Sequence, residues 1–243
     1  NGAYLGHNNS GYTSFSFDIS EMARYGDEGI NVLLVRVDTT TGAEGWWYEG
    51  AGIYRDVWLE CLPLTSFNWD SAYVYTKELD GTQATLGTEV CIENHSSDTV
   101  EVTPVIKIDE HVISLGEQIL RPFESRTIKE TFRFSSPILW SPEQPHLYTA
   151  VFQMETDECR KNFGIRTFAY DTQGFHLNGS LYELRGVCEH QDFAGVGVAL
   201  NQDIVDYKVK TMKEMGVNAW RSAHHFASAE LLEACDRFGI LLM

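Results

Sequence analysis

The chain has 243 residues, enough for one or two domains with cores of ordinary size. Its 18 basic and 35 acidic residues leave a formal net charge of −17, and with no basic run this argues against nucleic acid and anionic lipid as partners. No apolar run approaches the ~20 residues that cross a bilayer, and cysteines at 61, 91, 159, 188 and 235 show no Cys-x-x-Cys pair or regular spacing, so neither a zinc knuckle nor a disulfide framework is indicated. The start carries no basic, apolar signal pattern. The compartment is left open, with the cytoplasm as the default expectation.

Residues 1–62 read as β structure. YTSFSFDI and NVLLVRVD alternate or run apolar between glycines, and Asp18 to Gly26 reads as one short helical turn. Asn1-Gly2 makes a hairpin turn with no strand in front of it, so this is expected to be the later part of a sandwich whose first strands precede it. Gly45 to Pro63 is the densest aromatic patch, with Trp46, Trp47, Tyr48, Tyr54 and Trp58. Trp46, Trp47 and Tyr54 are candidates for stacking on sugar rings, and packing between two domains accounts for them equally well.

Residues 64–168 repeat the β signature at shorter intervals. AYVYTKEL, ATLGTEVCIEN, EVTPVIKID, RTIKETFRF and LYTAVFQME predict strands separated by Asp80-Gly81, by Asn94 to Asp98 and by a proline-rich turn from Pro137 to Pro145. That spacing predicts an immunoglobulin-like sandwich of about seven strands and ~100 residues. No catalytic constellation stands out in it, and its expected role is to position its neighbours.

From residue 175 the pattern changes. LYELRGVC predicts a strand, followed by a polar loop with Glu189, His190, Gln191 and Asp192. A helix from Gln202 to Met215, capped by Asn201 or Asp203, carries Val205, Val209 and Met212 on one face and closes at Gly216. VNAWRSAHH predicts a second strand that delivers Arg221, His224 and His225 to one point. A second helix opens at Ser228, carries Leu231, Cys235 and Phe238, and closes at Gly239 before the strand ILLM. Strand, helix, strand, helix, strand is a parallel α/β unit.

Two parallel folds compete. Gly195-Val196-Gly197 between strand and helix suggests dinucleotide binding, but the loop is too long for the phosphate turn, a third glycine is missing, and Arg221 stands where an acidic residue should meet the ribose. The alternative is the opening of a (β/α)8 barrel, whose chemistry gathers at the carboxyl ends of its strands. A zinc site from His190, His224 and His225 is disfavoured, since adjacent histidines on a strand point to opposite faces.

The ordered series NGAYLGHNNSGYTSFSFDIS, GAGIYRDVWLE, LWSPEQPHLYTA, FGIRTF, FHLNG, LRGVCEHQD, MGVNAWRSAHH and LLEACDRFGILLM resembles glycoside hydrolase family 2, the β-galactosidases, β-glucuronidases and β-mannosidases. The resemblance implies a multidomain, mainly β chain. Residues 1–62 would be the C-terminal part of a jelly-roll sugar-binding domain, 63–168 an immunoglobulin-like β-sandwich, and 169–243 the first β-α-β-α-β of a catalytic (β/α)8 TIM barrel. It also implies a retaining hydrolase with two glutamates ~5 Å apart, one acid/base and one nucleophile. In the family they sit on the fourth and seventh barrel strands, which would follow Met243, so these residues alone are expected to be inactive.

By its match to the second-strand motif, Arg221 would hydrogen-bond the nucleophile, while His224 and His190 would bind sugar hydroxyls. The bland alternative for Arg221 is a structural ion pair. The sequence departs from the family pattern at Cys188, where asparagine is common, at Phe226-Ala227, where two prolines are common, and at Ser10, where some galactosidases place an aspartate. A galactoside is the first expectation for substrate and a glucuronide the second. The resemblance implies a carbohydrate partner and a full-length homo-oligomer, with no nucleic acid or membrane. No cofactor is required; a divalent cation is chemically allowed in the full-length enzyme without being indicated. The rival of another class is a non-catalytic carbohydrate-binding or scaffolding β-sandwich protein, which the parallel unit, with its exposed edge, disfavours.

Overall fold

The computed structural model describes residues 1–40 and 50–243. Two long strands, β1 (Thr65–Asp80) and β2 (Gln83–Asn94), form a hairpin around Gly81, whose φ of 57° suits a tight turn. Alternation along β2 is plain: Ala84, Leu86, Val90 and Ile92 point into the core, and Thr85, Glu89 and Glu93 point away.

The predicted strand EVTPVIKID is two strands, β3 (Val100–Val102) and β4 (Val105–Ile108). The intervening Pro104 has no N–H to continue a ladder. After the break the chain changes sheet, β3 pairing with β6 (Gln118–Leu120) and β4 with β5 (His111–Ser114). Then come β7 (Ser125–Ser135), β8 (Tyr148–Gln153) and β9 (Glu158–Phe163). The sheets β1-β2-β7 and β5-β4-β8-β9 face each other across one core built on Phe67, Leu86, Ile92, Ile106 and Phe152. Phe67 meets Phe152 edge-on across the layers at 6.3 Å. This is the expected immunoglobulin-like sandwich, with additional strands β5, β6 and β9. β9 escapes an apolar scan because only Cys159 and Phe163 of ECRKNF face inward.

A small meander of β10 (Phe168–Asp171), β11 (Gly174–Leu177) and β12 (Ser180–Leu181) leads to the parallel unit. There β13 (Gly186–His190), β14 (Ala219–Ala223) and β15 (Leu241–Leu242) lie side by side and parallel. The helices α1 (Gln202–Glu214) and α2 (Ala229–Phe238) cover one face. Their caps are those the sequence predicts. The Asn201 side chain accepts from Ile204 N, the Ser228 side chain accepts from Leu231 N, and Gly239 ends α2 in the left-handed region at φ 74°. Val205, Val209, Leu231 and Cys235 bury their side chains against Trp220.

Residues 1–62 differ from expectation. Among the described residues of this segment there is no strand; the expected helical turn is present, with the Met22 and Ala23 N–H groups donating to Ile19 O at 2.9 Å, and a 3-10 turn follows at Gly26–Glu28. YTSFSFDI and NVLLVRVD find no neighbouring ladder among the described residues, and apart from half-buried Tyr12 and Ile19 their apolar side chains are exposed, Leu34 being 91% exposed. Alternation specifies the faces of a strand, whereas a strand exists only when a partner accepts its backbone hydrogen bonds. Arg55 ties the segment to the parallel unit, donating to Phe226 O at 3.0 Å.

Candidate functional site

The site grows from the pleat of the parallel sheet. In register, Cys188 lies opposite Arg221 and His190 opposite Ala223. Side chains alternate along each strand, so Val187 and Trp220 join the helix-side core while Cys188 and Arg221 emerge on the other, open face. There Arg221 Nη1 lies 3.1 Å from Cys188 Sγ and 3.3 Å from His224 Nδ1. The His190 and His224 rings meet edge to face at 5.3 Å. The structure thus brings Arg221, His224 and His190 together at the carboxyl ends of adjacent parallel strands. Cys188 joins them as a direct neighbour of the guanidinium.

β14 ends at Ala223, so both histidines lie in the bend beyond it rather than on the strand. They go to different partners. His224 turns to Arg221 and His190, while His225 stacks flat on Tyr12, centroids 3.9 Å apart and planes 9° from parallel. No group of three or more His, Cys, Asp or Glu among the described residues could hold a metal.

Gln191 is a residue that reading the sequence left as part of a polar loop. It is buried, and its amide nitrogen is 3.0 Å from Ser222 Oγ and 3.1 Å from Phe226 O, while its carbonyl accepts from Ser228 N at 2.9 Å. One side chain just past the first strand thereby shapes the bend after the second. Lys208 was missed as well. Only 8% exposed on α1, it donates to the carbonyls of His190 and Asp192 at 3.0 and 2.9 Å and pairs with Glu189 at 2.8 Å, holding the first loop. A lysine between Val205 and Val209 on the apolar face of a helix was the available signal.

Of the aromatic candidates, Trp46 and Trp47 lie outside the described residues. The Tyr54 hydroxyl donates to Gly11 O, and its ring lies 5.5 Å from the Arg55 guanidinium. Tyr54 also lines a cavity of about 220 Å³ with Tyr12, Arg55, Gln191, His225 and Glu230. A larger hollow of about 740 Å³, beside Asp192, Phe193, Tyr207 and Lys208, is lined by none of Arg221, His224 and His190. The strand-end cluster is the better candidate, since chemistry needs convergent polar groups more than volume.

Comparison with known proteins agrees with this geometry. The profile for glycosyl hydrolases family 2 matches residues 70–166, and that for the TIM barrel domain of the same family matches residues 169–243. The chain belongs to glycosyl hydrolases family 2. Its fold is mainly β, followed by the opening of a TIM barrel. Beta-galactosidase BoGH2A of Bacteroides ovatus is 34% identical over 255 residues, covering 100% of this chain and 30% of that protein. A putative beta-glucuronidase of Formosa agariphila is 32% identical over 249 residues, covering 100% and 24%. Among solved structures, a family 2 member from Bacteroides cellulosilyticus superposes with a TM-score of 0.85 at 28% identity, covering 98% of this chain and 34% of its own. A Bacteroides uniformis beta-glucuronidase 2 covalently bound to cyclophellitol-6-carboxylate aziridine gives 0.72 at 31%, covering 79% and 25%. The chain spans about a third or less of the length of these relatives.

Proposed function

We propose that the whole protein is a retaining β-glycosidase acting on a β-galactoside. The observation that carries this reading is the meeting of Arg221, His224 and His190 at the carboxyl ends of two adjacent strands of a family 2 barrel opening. The domains divide at 1–62, the rest of a jelly-roll sugar-binding domain; 63–168, the immunoglobulin-like sandwich; and 169–243, the start of the catalytic barrel.

In this reading Arg221 holds the nucleophilic carboxylate. A guanidinium presents several N–H donors in a fixed plane, and a positive charge within hydrogen-bond reach keeps a carboxylate ionised for attack. His224, beside the guanidinium, and His190, edge to face with His224, offer ring nitrogens to sugar hydroxyls. The glutamate pair that breaks the bond comes from further barrel strands, so residues 1–243 by themselves turn over no glycoside. Galactose is favoured by the 34% identity to the Bacteroides ovatus enzyme.

The test is turnover of nitrophenyl β-galactoside and nitrophenyl β-glucuronide by the full-length protein. The galactoside is expected to give a kcat/KM at least about tenfold higher, the discrimination available to a site built to hydrogen-bond one sugar. A reversed ratio assigns the glucuronide, no turnover of either overturns both of these substrate assignments, and no turnover of the β-mannoside or β-galacturonide as well overturns the hydrolase reading.

A further inference from the structure

Arg55 lies far from the strand-end cluster in sequence, yet it touches the bend that carries it. Its Nη2 donates to Phe226 O at 3.0 Å across 171 positions, and its Nη1 donates to Tyr12 O at 2.8 Å. Tyr12 in turn lies flat on His225. The Ser10 hydroxyl, 3.2 Å from the backbone N–H groups of both Tyr12 and Thr13, shapes the turn that presents that ring. The Phe226 carbonyl also receives Gln191 from just past the first strand. The bend after β14 is thus fastened on one side by the barrel's own Gln191 and on the other by Arg55 and Tyr12. Near this contact the chain passes so closely that a Cβ on Gly50 would meet Val198 Cγ2 at 2.6 Å.

We infer that Arg55 is a positioning residue for sugar binding: by clamping the Tyr12 and Phe226 carbonyls it fixes the bend that sets His224 against Arg221 and His190. A planar guanidinium suits the task, because two of its N–H groups reach two carbonyls at once from a rigid fork. Without it the bend retains the Gln191 contacts and the Ser222 Oγ bond to His225 O at 3.0 Å but loses the support from residues 1–62, and the imidazole of His224 is held less firmly relative to Arg221. The effect falls on binding more than on the chemical step, since Arg55 touches no residue assigned to holding the nucleophile.

This inference rests on the hydrolase reading for its kinetic arm only, and a second arm is independent of it. In the full-length protein, Arg55→Ala is expected to raise KM for the preferred nitrophenyl glycoside about tenfold, the loss of a charge-assisted hydrogen bond, with kcat within about threefold. Modification of His225 by diethyl pyrocarbonate, followed peptide by peptide, is expected to quicken several-fold as the Tyr12 ring lifts away. Arg55→Lys keeps the charge without the fork and is expected to fall between; it also serves if the alanine variant does not fold. Unchanged His225 reactivity in a folded variant overturns the clamp whatever the turnover. Quickened modification with KM unchanged overturns the role in sugar binding. Quickened modification in a protein whose unaltered form hydrolyses nothing leaves the clamp standing and removes the hydrolase reading instead.

Discussion

The two ends of the parallel unit are built on different principles. At the end where helices return to strands, the proline-rich turn of the sandwich is docked tightly. Trp140, 1% exposed, donates its indole N–H to Asp236 O at 2.9 Å, and its ring covers Gly164, where a Cβ would meet it at 2.8 Å. Lys213 Nζ bridges Pro142 O and Gly239 O at 2.6 and 2.7 Å, and the Tyr182 hydroxyl donates to Glu143 at 2.6 Å. Buried Asn218 donates to Glu183 O and accepts from Arg185 N. At the opposite end, Arg221, Cys188 and His224 are exposed and their polar atoms face an open surface. One end invests its side chains in packing and satisfied hydrogen bonds. The other gathers polar side chains at the carboxyl ends of the strands, where barrels place their chemistry.

Mutations at the two ends should therefore fail differently. Trp140→Ala removes a large buried ring and strands the Asp236 carbonyl, and is expected to destabilise by about 3–5 kcal/mol in urea unfolding. A loss under about 1 kcal/mol, the size of an ordinary surface change, would erase the contrast. Arg221→Ala should do the converse in the full-length protein. Turnover is expected to fall about 10²–10³-fold, as when a group poised on the reacting charge is lost, while unfolding moves by less than Trp140→Ala moves it. Equal losses in stability and turnover would make Arg221 a structural ion-pair residue after all.

Alkaline pH sharpens the contrast with a smaller effect. Burial pushes the Cys235 thiol up to about 12, and burial with the Glu143 hydrogen bond does the same to the Tyr182 phenol. Unfolded, these groups ionise from their ordinary values of about 8.5 and 10. Their contribution to stability is thus complete below about pH 8.5 and is lost as pH rises toward 12. Melting followed from pH 7 to 11 should show a decline that Cys235→Ala flattens and Cys188→Ala leaves in place. An equal response to both substitutions would show that burial at the packed end is not its source.

Much of the parallel unit was legible before any coordinates. Asn201, Ser228 and Gly239 act within their own turn of helix, and Val205, Val209, Leu231 and Cys235 recur at the helical period, so each signal is complete within a few residues. Arg221 and His224 were legible as a polar cluster ending an apolar run. In residues 1–62 the alternating side chains predict strands, and the described residues of that segment form none. The same local logic ran β3 into β4, because the apolar pattern continues across Pro104 while the hydrogen-bond ladder does not.

By itself the sequence determined the order of elements in the parallel unit, the caps of its helices and the polar cluster that ends its second strand. Only the tertiary structure decided that Cys188 lies against Arg221, that Lys208 closes the first loop from a buried position, that the two histidines part company beyond the strand, and that Arg55 grips a carbonyl 171 positions away. The physical reason is range. Periodicity and capping are settled by hydrogen bonds and burial within one or two turns of chain, whereas register and loop contacts depend on which distant segments find room and partners against each other.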